Sequence, residues 1–260
     1  MVLAVDGDSS KAVVLELRHP VARSLPRSPR YAEAISKPGR VTEAEFKTLQ
    51  LELAAQTPAP WRPGGDRPLV AGCFVCFERG GRGPGRQGER GWAAAALMRG
   101  KRGLQATAVV RGEARWHYEP GLLALREGPL LEAAVRALPE QPEVLIAGAS
   151  GRDHPRGAGL ALHLGALLDL PSLGITDRPL LAEGPQPGPG RGSTSPLLLE
   201  GREVARRLRT RAGARPVVVH PGWRTDLDTA VTVTVRSTRR ARTPEPLRRA
   251  RKAARDARAR

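Results

Sequence analysis

From Val41 to Gln56 the apolar residues recur at helical spacing, with Phe46, Leu49, Leu53 and Ala54 on one stripe. Thr42 stands at the N-cap position, and Glu45 three residues on completes a capping box. Pro58, Pro60 and Pro63 stop the helix. The period then changes. Residues 69–77 (Leu-Val-Ala-Gly-Cys-Phe-Val-Cys-Phe) form a continuous apolar run of strand length, and two more strands are expected at 92–98 and near Ala106–Arg111. Between the first two lies a glycine-rich stretch, 80–88, with a formal G-x-G-x-x-G at Gly83, Gly85 and Gly88. A dinucleotide fingerprint follows a strand and opens a helix. This one joins two strands, so the pattern predicts a hairpin loop.

Past Pro120 helical and strand patterns alternate. Pro129 suits the first turn of a helix reaching Leu138, with Leu130, Leu131, Ala134, Val135 and Leu138 on its buried face. A strand at Glu143–Ala147, a helix at Gly157–Leu170 and a strand at Ser172–Thr176 make a β-α-β crossover with parallel strands. A Pro/Gly-rich loop at 185–196, a short basic helix at Glu200–Arg211, a strand at Pro216–His220 and a helix at Thr225–Arg236 complete the series. The order predicts one α/β domain over residues 41–240: a mixed sheet flanked by helices, strand 69–77 lying inside it beside strand 143–147. Such a sheet binds ligands beyond the carboxyl ends of its parallel strands. Residues 1–40, with a possible strand at 13–17 and a proline-rich stretch after it, are read as an N-terminal extension of unknown role, and 241–260 as a basic C-terminal tail.

Aromatic residues make up only 3% of the 260, so aliphatic side chains must build the core. The formal net charge is +17. A surplus of that size calls for an anionic partner, nucleic acid first and an acidic membrane surface second. The charge is concentrated: Ser237–Arg260 holds ten Arg or Lys residues against two acids. Arg248 and Arg249, with Arg251, Lys252 and Arg255, are the candidate phosphate contacts there. Two cysteines, Cys73 and Cys76, exclude a disulfide-stapled fold. Three apart on a strand, they face opposite sides and lack a second pair for zinc. No apolar run reaches transmembrane length, and the first residues carry acids where a signal peptide needs cations, which predicts a cytoplasmic protein with no membrane partner.

Several segments resemble one family, endonuclease V. Tyr118-Glu119-Pro120-Gly121-Leu122-Leu123-Ala124-Leu125-Arg126-Glu127-Gly128-Pro129 is similar to its P-Y-[IV]-P-G-[FL]-L-[SA]-F-R-E-x-P. Asp153-His154-Pro155-Arg156-Gly157-Ala158-Gly159-Leu160-Ala161-Leu162-His163-Leu164-Gly165 resembles H-P-R-[RK]-[FL]-G-[LV]-A-[SC]-H-[LF]-G, and 168–176 resembles L-D-[LV]-P-T-I-G-V-A. The likeness covers roughly 41–240. It implies a ribonuclease-H-like fold and a Mg²⁺-dependent (or Mn²⁺-dependent) endonuclease that cuts near deaminated purine, inosine, in DNA or RNA. Carboxylates would hold the metal against the scissile phosphate. By the resemblance Glu127 is a metal ligand, Tyr118 and Pro120 belong to a wedge that parts the strands, Gly121 and Leu123 to the base pocket, and His154 and Arg156 to the loop after the fourth strand. No protein partner is implied, and a monomer is expected.

The chain also departs from that pattern. The family's A-G-x-D-V reads Ala71-Gly72-Cys73-Phe74-Val75, so Phe74 takes the place of a metal-binding Asp. V-D-G reads Ile146-Ala147-Gly148, with the loop to His154 one residue longer; G-H-[RK] reads Gly222-Trp223-Arg224; and the Lys after I-G-V-A is Asp177. Asp153, on the lengthened loop, is the candidate replacement ligand and with Glu127 and His154 the candidate catalytic set. Asp177, His220, Asp226 and Asp228 are weaker substitutes. Asp226 and Asp228 read more simply as helix-start acids, and His163 as a core or surface residue rather than a ligand. Three functions remain open: a nuclease with a rearranged or impaired site, a non-catalytic nucleic-acid-binding relative, and a basic RNA-associated protein that binds mainly through its tail.

Overall fold

The computed structural model describes residues 41–80, 83–100 and 103–260, together with two strands near the amino end. Those are β1 (Leu3–Ala4) and β2 (Ala12–Glu16), which covers most of the strand expected at 13–17. The rest of 1–40 lies outside the described residues. Helix α1 (Glu43–Ala55) starts at Thr42, whose side chain accepts from the Glu45 N–H while the Glu45 carboxylate accepts from the Thr42 N–H at 2.7 Å, the predicted capping box. Strands β3 (Leu69–Phe77), β4 (Arg90–Arg99) and β5 (Gly103–Glu113) form the meander. Helix α2 (Leu123–Arg136), β6 (Val144–Ala147), α3 (Leu160–Leu168) and β7 (Ser172–Thr176) follow. Strands β8 (Thr194–Leu199), β9 (Arg202–Leu208) and β10 (Val217–Pro221) precede helices α4 (Leu227–Ser237) and α5 (Glu245–Ala259).

The described strands make one mixed, ribonuclease-H-like sheet in the order β1-β2-β5-β4-β3-β6-β7-β10-β9-β8. β3, β6 and β7 run parallel at its centre, with β3 beside β6 as the pattern required. Both faces are covered, which is why β3 reads as an unbroken apolar run. On the front, Ala71, Cys73 and Val75 join a core with Phe46, Leu53, Leu131, Leu145 and Leu164. On the back, Val70 packs with Ile146, Leu173, Val219, Val233 and Leu247. Cys76 and Ala94 meet Ala254 there. Cys73 and Cys76 therefore face opposite sides, both as free thiols.

Four elements differ from the pattern. Helix α2 begins at Leu123, so Pro129 lies inside it and Glu127 in its second turn rather than ahead of it. An interior proline costs about 3 kcal/mol. Burial of Leu122, Ala124 and Leu125 ahead of it offsets that cost and holds the earlier turn. Residues 202–208 form a strand instead of a basic helix. Glu200 (φ 50°) and Gly201 (φ 75°) both adopt left-handed backbone, the conformation of a two-residue hairpin turn, and the pairing of β8 with β9 buries Leu197, Ala205 and Leu208. The 157–170 helix starts only at Leu160, because Gly157 has φ 66° and Gly159 caps the helix from extended backbone. The loop at 185–196 ends in strand β8.

The basic C-terminal segment forms α5, whose Leu247, Ala250 and Ala254 are fully buried against the back of the sheet. Its first turn crosses β3 at Gly72, where a Cβ would lie 2.2 Å from the Pro246 carbonyl carbon and 2.3 Å from the Leu247 nitrogen. Both obstacles are backbone, so neither can swing aside. Gly72→Ala is expected to destabilise the fold by at least about 1–3 kcal/mol, read as a lowered urea midpoint; an unchanged midpoint would mean that α5 is not seated on β3.

Candidate nucleic-acid interface

The front of the sheet ends in an open cleft of about 540 Å³ between the β3–β4 hairpin and α2, lined by Phe77, Glu78, Gly83–Glu89, Tyr118, Arg126 and Glu127. Arg126 sets its wall. The guanidinium is buried over the Phe77 ring, with its central carbon 4.1 Å from the centroid, ion-paired to Glu89 and donating to the carbonyls of Arg86 (2.9 Å) and Trp116 (3.0 Å). One buried cation thus ties the glycine-rich hairpin to the segment before α2. Gly85 leaves room for it, since a Cβ there would meet the Arg126 guanidinium at 2.7 Å. Tyr118 stands exposed at the cleft, its N–H donating to the Gly85 carbonyl at 3.0 Å, and Pro120 is exposed two residues on.

Gly121 (φ 79°) turns the chain into α2. Its carbonyl accepts three donors: Gln50 Nε2 at 2.9 Å, Arg156 Nη2 at 2.8 Å and His154 Nε2 at 3.2 Å. The Arg156 N–H donates to His154 Nδ1 at 3.3 Å, so the other ring nitrogen carries the hydrogen that reaches Gly121. Burial and the neighbouring Arg156 hold the His154 pKa down at about 4, so the ring is neutral at physiological pH. His154 and Arg156 are therefore positioning residues that clamp the Tyr118–Leu122 turn. Gln50, which completes the clamp, was missed; its place on the stripe between Phe46 and Leu53, buried despite its amide, was the available signal. Leu123 is half-buried against the core at the start of α2.

Glu127 reaches the cleft floor. Burial, opposed by Arg126, raises its pKa to about 7. Below it, burial and the Glu127 charge push the Cys73 thiol up to about 12. The carboxylates expected to assist Glu127 lie elsewhere. Asp153 is fully buried, and its two oxygens accept the N–H groups of Leu180 (2.7 Å), Leu181 (2.8 Å) and Ala182 (2.9 Å). It ties down the loop after β7 and is not placed as a replacement metal ligand. Asp226 caps α4 through the Thr229 N–H, Asp228 pairs with Arg206, and buried His220 meets Thr176 Oγ1 at 2.9 Å. His163 is a core residue stacked on Phe46.

The positions that depart from the family pattern lie on both sides of the sheet. Phe74 points to the back of β3, away from Glu127, under Arg251 and Arg255. Ala147 is buried in the front core, while Gly148, the next residue, is exposed on the Phe74 side with Leu247 at 3.6 Å from its ideal Cβ. Gly148, more than Ala147, therefore shares a face with Phe74. Trp223 is buried in the front core, its N–H donating to Ser172 Oγ at 2.9 Å. Asp177 pairs with Arg242. Among the described residues no group of three or more His, Cys, Asp or Glu is close enough to hold a metal ion. The side chains present do not fit a divalent cation, which needs several oxygen ligands in one place.

A family model for Endonuclease V matches residues 63–252. An Endonuclease V of Streptomyces coelicolor is 40% identical over 216 residues, covering 80% of this chain and 88% of the relative. One from Streptomyces avermitilis is 46% identical over 139 residues, 54% of this chain and 61% of the relative. The crystal structure of an Endonuclease V from the latter organism superposes with TM-score 0.75 and 37% identity over 84% of this chain and 93% of that one. A Ciona intestinalis Endonuclease V, solved in complex with a 24mer DNA containing an inosine followed by a ribo-adenosine, shares the fold at TM-score 0.69 and 20% identity, over 82% of this chain and 96% of that one. No described helix is long and apolar enough to cross a membrane.

The raised Glu127 pKa has a signed consequence for stability. Between about pH 4.5 and 7 the folded chain holds this proton and the unfolded chain has released it, so the Glu127 contribution is full below pH 4.5 and is lost as pH rises to 7. Buried His154, His163 and His220, with lowered pKa values, act in the opposite sense. Glu127→Gln isolates the first effect: its stability relative to the unsubstituted protein, from urea unfolding at each pH, should rise steadily from pH 4.5 to 7. A flat difference would place Glu127 in ordinary solvent.

Proposed function

The chain belongs to the endonuclease V family, and from that premise we propose that it binds inosine-bearing nucleic acid and does not cut it by the family's metal-dependent route. The observation that carries this reading is the dispersal of the ligand positions: Glu127 is on the front of β3, Phe74 on the back, and Asp153 is bound to three backbone N–H groups. Magnesium would supply charge neutralisation at the scissile phosphate. Among the described residues nothing gathers the oxygens to hold it.

Residues expected to bind nucleic acid remain, although His117 and Glu119 replace two of the four wedge positions. Tyr118 offers an exposed ring at the cleft, able to stack where a base has left its neighbours. The clamp on Gly121 fixes the turn that presents it. A Glu127 whose pKa is raised to about 7 is ionised only in part near neutrality and so repels phosphate less than a fully ionised one would. The Ciona relative in complex with inosine-containing DNA supports a nucleic-acid ligand of this kind; the 2′-hydroxyl contacts that separate RNA from DNA would come from the same cleft. Repair of deaminated strands would then use this chain as a binding factor, with strand scission supplied elsewhere.

The test is a labelled strand with a single inosine, incubated with Mg²⁺ or Mn²⁺ and followed in parallel by anisotropy in EDTA. The expected result is no cleavage above the protein-free rate, with saturable binding that needs no divalent ion. Tyr118→Ala should cost about 1–3 kcal/mol of binding, the usual worth of one base–aromatic stack. Metal-dependent cleavage that disappears with Glu127→Ala would overturn the reading in favour of an active nuclease.

A further inference from the structure

Residues on the back of the sheet, where β3 and β6 reach their carboxyl ends, remain unused by the cleft. Phe74 is half-buried there. The guanidinium carbon of Arg251 lies 5.2 Å from its ring centroid and that of Arg255 5.6 Å. Arg242 stands close by, donating to the Pro216 carbonyl at 3.1 Å and paired with exposed Asp177. On the same helix Arg248 is answered by Glu245 and Lys252 by Asp256. Neither Arg251 nor Arg255 makes an ion pair with a carboxylate among the described residues, and Arg251 Nε is buried without a hydrogen-bond acceptor. Burial, Arg255 and Arg242 work against the Arg251 charge, and the exposed Asp177, already paired with Arg242, offsets them only in part. A buried guanidinium N–H facing no acceptor, beside a second unpaired cation, is what an anion would complete.

We propose that Arg251 and Arg255, seated on Phe74, form a phosphate-binding site for the nucleic-acid backbone, standing where the family pattern would place a carboxylate. The exchange is one of charge. An acid at 74 would pair with these guanidiniums and cancel them. The Phe74 ring attracts a cation to its face without neutralising it and leaves guanidinium edges free to fork onto phosphate oxygens. Gly148, exposed beside Leu247, puts no side chain in the way. This site rests on the nucleic-acid-binding reading above and gives it a second contact, on the opposite face from Tyr118, that needs no metal.

The test is the affinity of the full chain for a short oligothymidylate, by anisotropy in EDTA across a salt series. Arg251→Met and Arg255→Met should each weaken binding several-fold and reduce the slope of log K against log salt by about 0.7. Arg202→Met, an exposed arginine on the far-edge hairpin, should leave that slope unchanged. Phe74→Asp should weaken binding like the arginine variants, whereas Phe74→Leu, which keeps the charges, should stay close to the unsubstituted chain; these two decide the matter if an arginine variant fails to fold by circular dichroism. Unchanged affinity and slope in Arg251→Met, Arg255→Met and Phe74→Asp overturn the site while the cleft reading stands, provided the unsubstituted chain binds. No binding of the oligothymidylate by the unsubstituted chain overturns the site, and no binding of the inosine-bearing strand as well overturns both. Displacement of the oligonucleotide by inorganic phosphate at constant ionic strength would assign the site to free phosphate and overturn the backbone assignment.

Discussion

The back of the molecule depends on the absence of a side chain at Gly72. Because that residue is bare, the backbone of Pro246 and Leu247 lies directly on β3, and α5 is held where Leu247, Ala250 and Ala254 are buried. Arg251 follows Leu247 by four residues and Arg255 by eight, so both project from nearly the same side of the helix, over Phe74. A close backbone contact at one end of α5 thus sets where its cations stand at the other. The formal charge of the tail says only that cations exist; the contact at Gly72 gives them an address.

The period-two alternation of β3 does the rest. Cys73 turns to the front beside Glu127 and Phe74 to the back beneath the arginines. The two faces thereby acquire different characters. On the front, a buried carboxyl with a raised pKa, an exposed tyrosine and a clamped turn outline the cleft. On the back, Arg251 and Arg255 stand over Phe74 without an ion pair, and Arg251 Nε has no acceptor. Metal-assisted phosphodiester hydrolysis needs the reverse: anions close together, facing one cation. Asp153, the acid that sequence order made the most attractive substitute, is instead the anchor of residues 180–182, since a fully buried carboxylate is stable only when its oxygens are satisfied.

Elements whose signal is local were legible in the residues. The capping box of Thr42 and Glu45, the unbroken apolar run of β3 and the β-α-β unit ending at Thr176 each follow from short-range rules. The loss of the Asp at 74 and of the His at 223 could be read from the motifs alone. What escaped depends on contacts far apart in sequence or on backbone geometry. The basic stretch 202–208 reads as a helix until Glu200 and Gly201 take left-handed conformations and fold it back on β8. Gln50 reaches Gly121 across 71 residues, which no window along the chain reveals. In α5 the charge drew attention from a plainer signal, Leu247, Ala250 and Ala254 at the spacing of one apolar stripe, which marks a docked helix. A one-residue shift at the end of β6 decides whether Ala147 or Gly148 shares the face of Phe74, and only the sheet register resolves it.

The central claim, that the described residues of this chain do not assemble the family's metal centre, is tested most directly by titrating Mn²⁺ into the protein with an inosine-bearing strand bound and following water-proton relaxation. The account predicts no saturable site beyond the weak ion atmosphere of the nucleic acid, and no change on Glu127→Ala. A single tight Mn²⁺ site that vanishes with Glu127→Ala would contradict it.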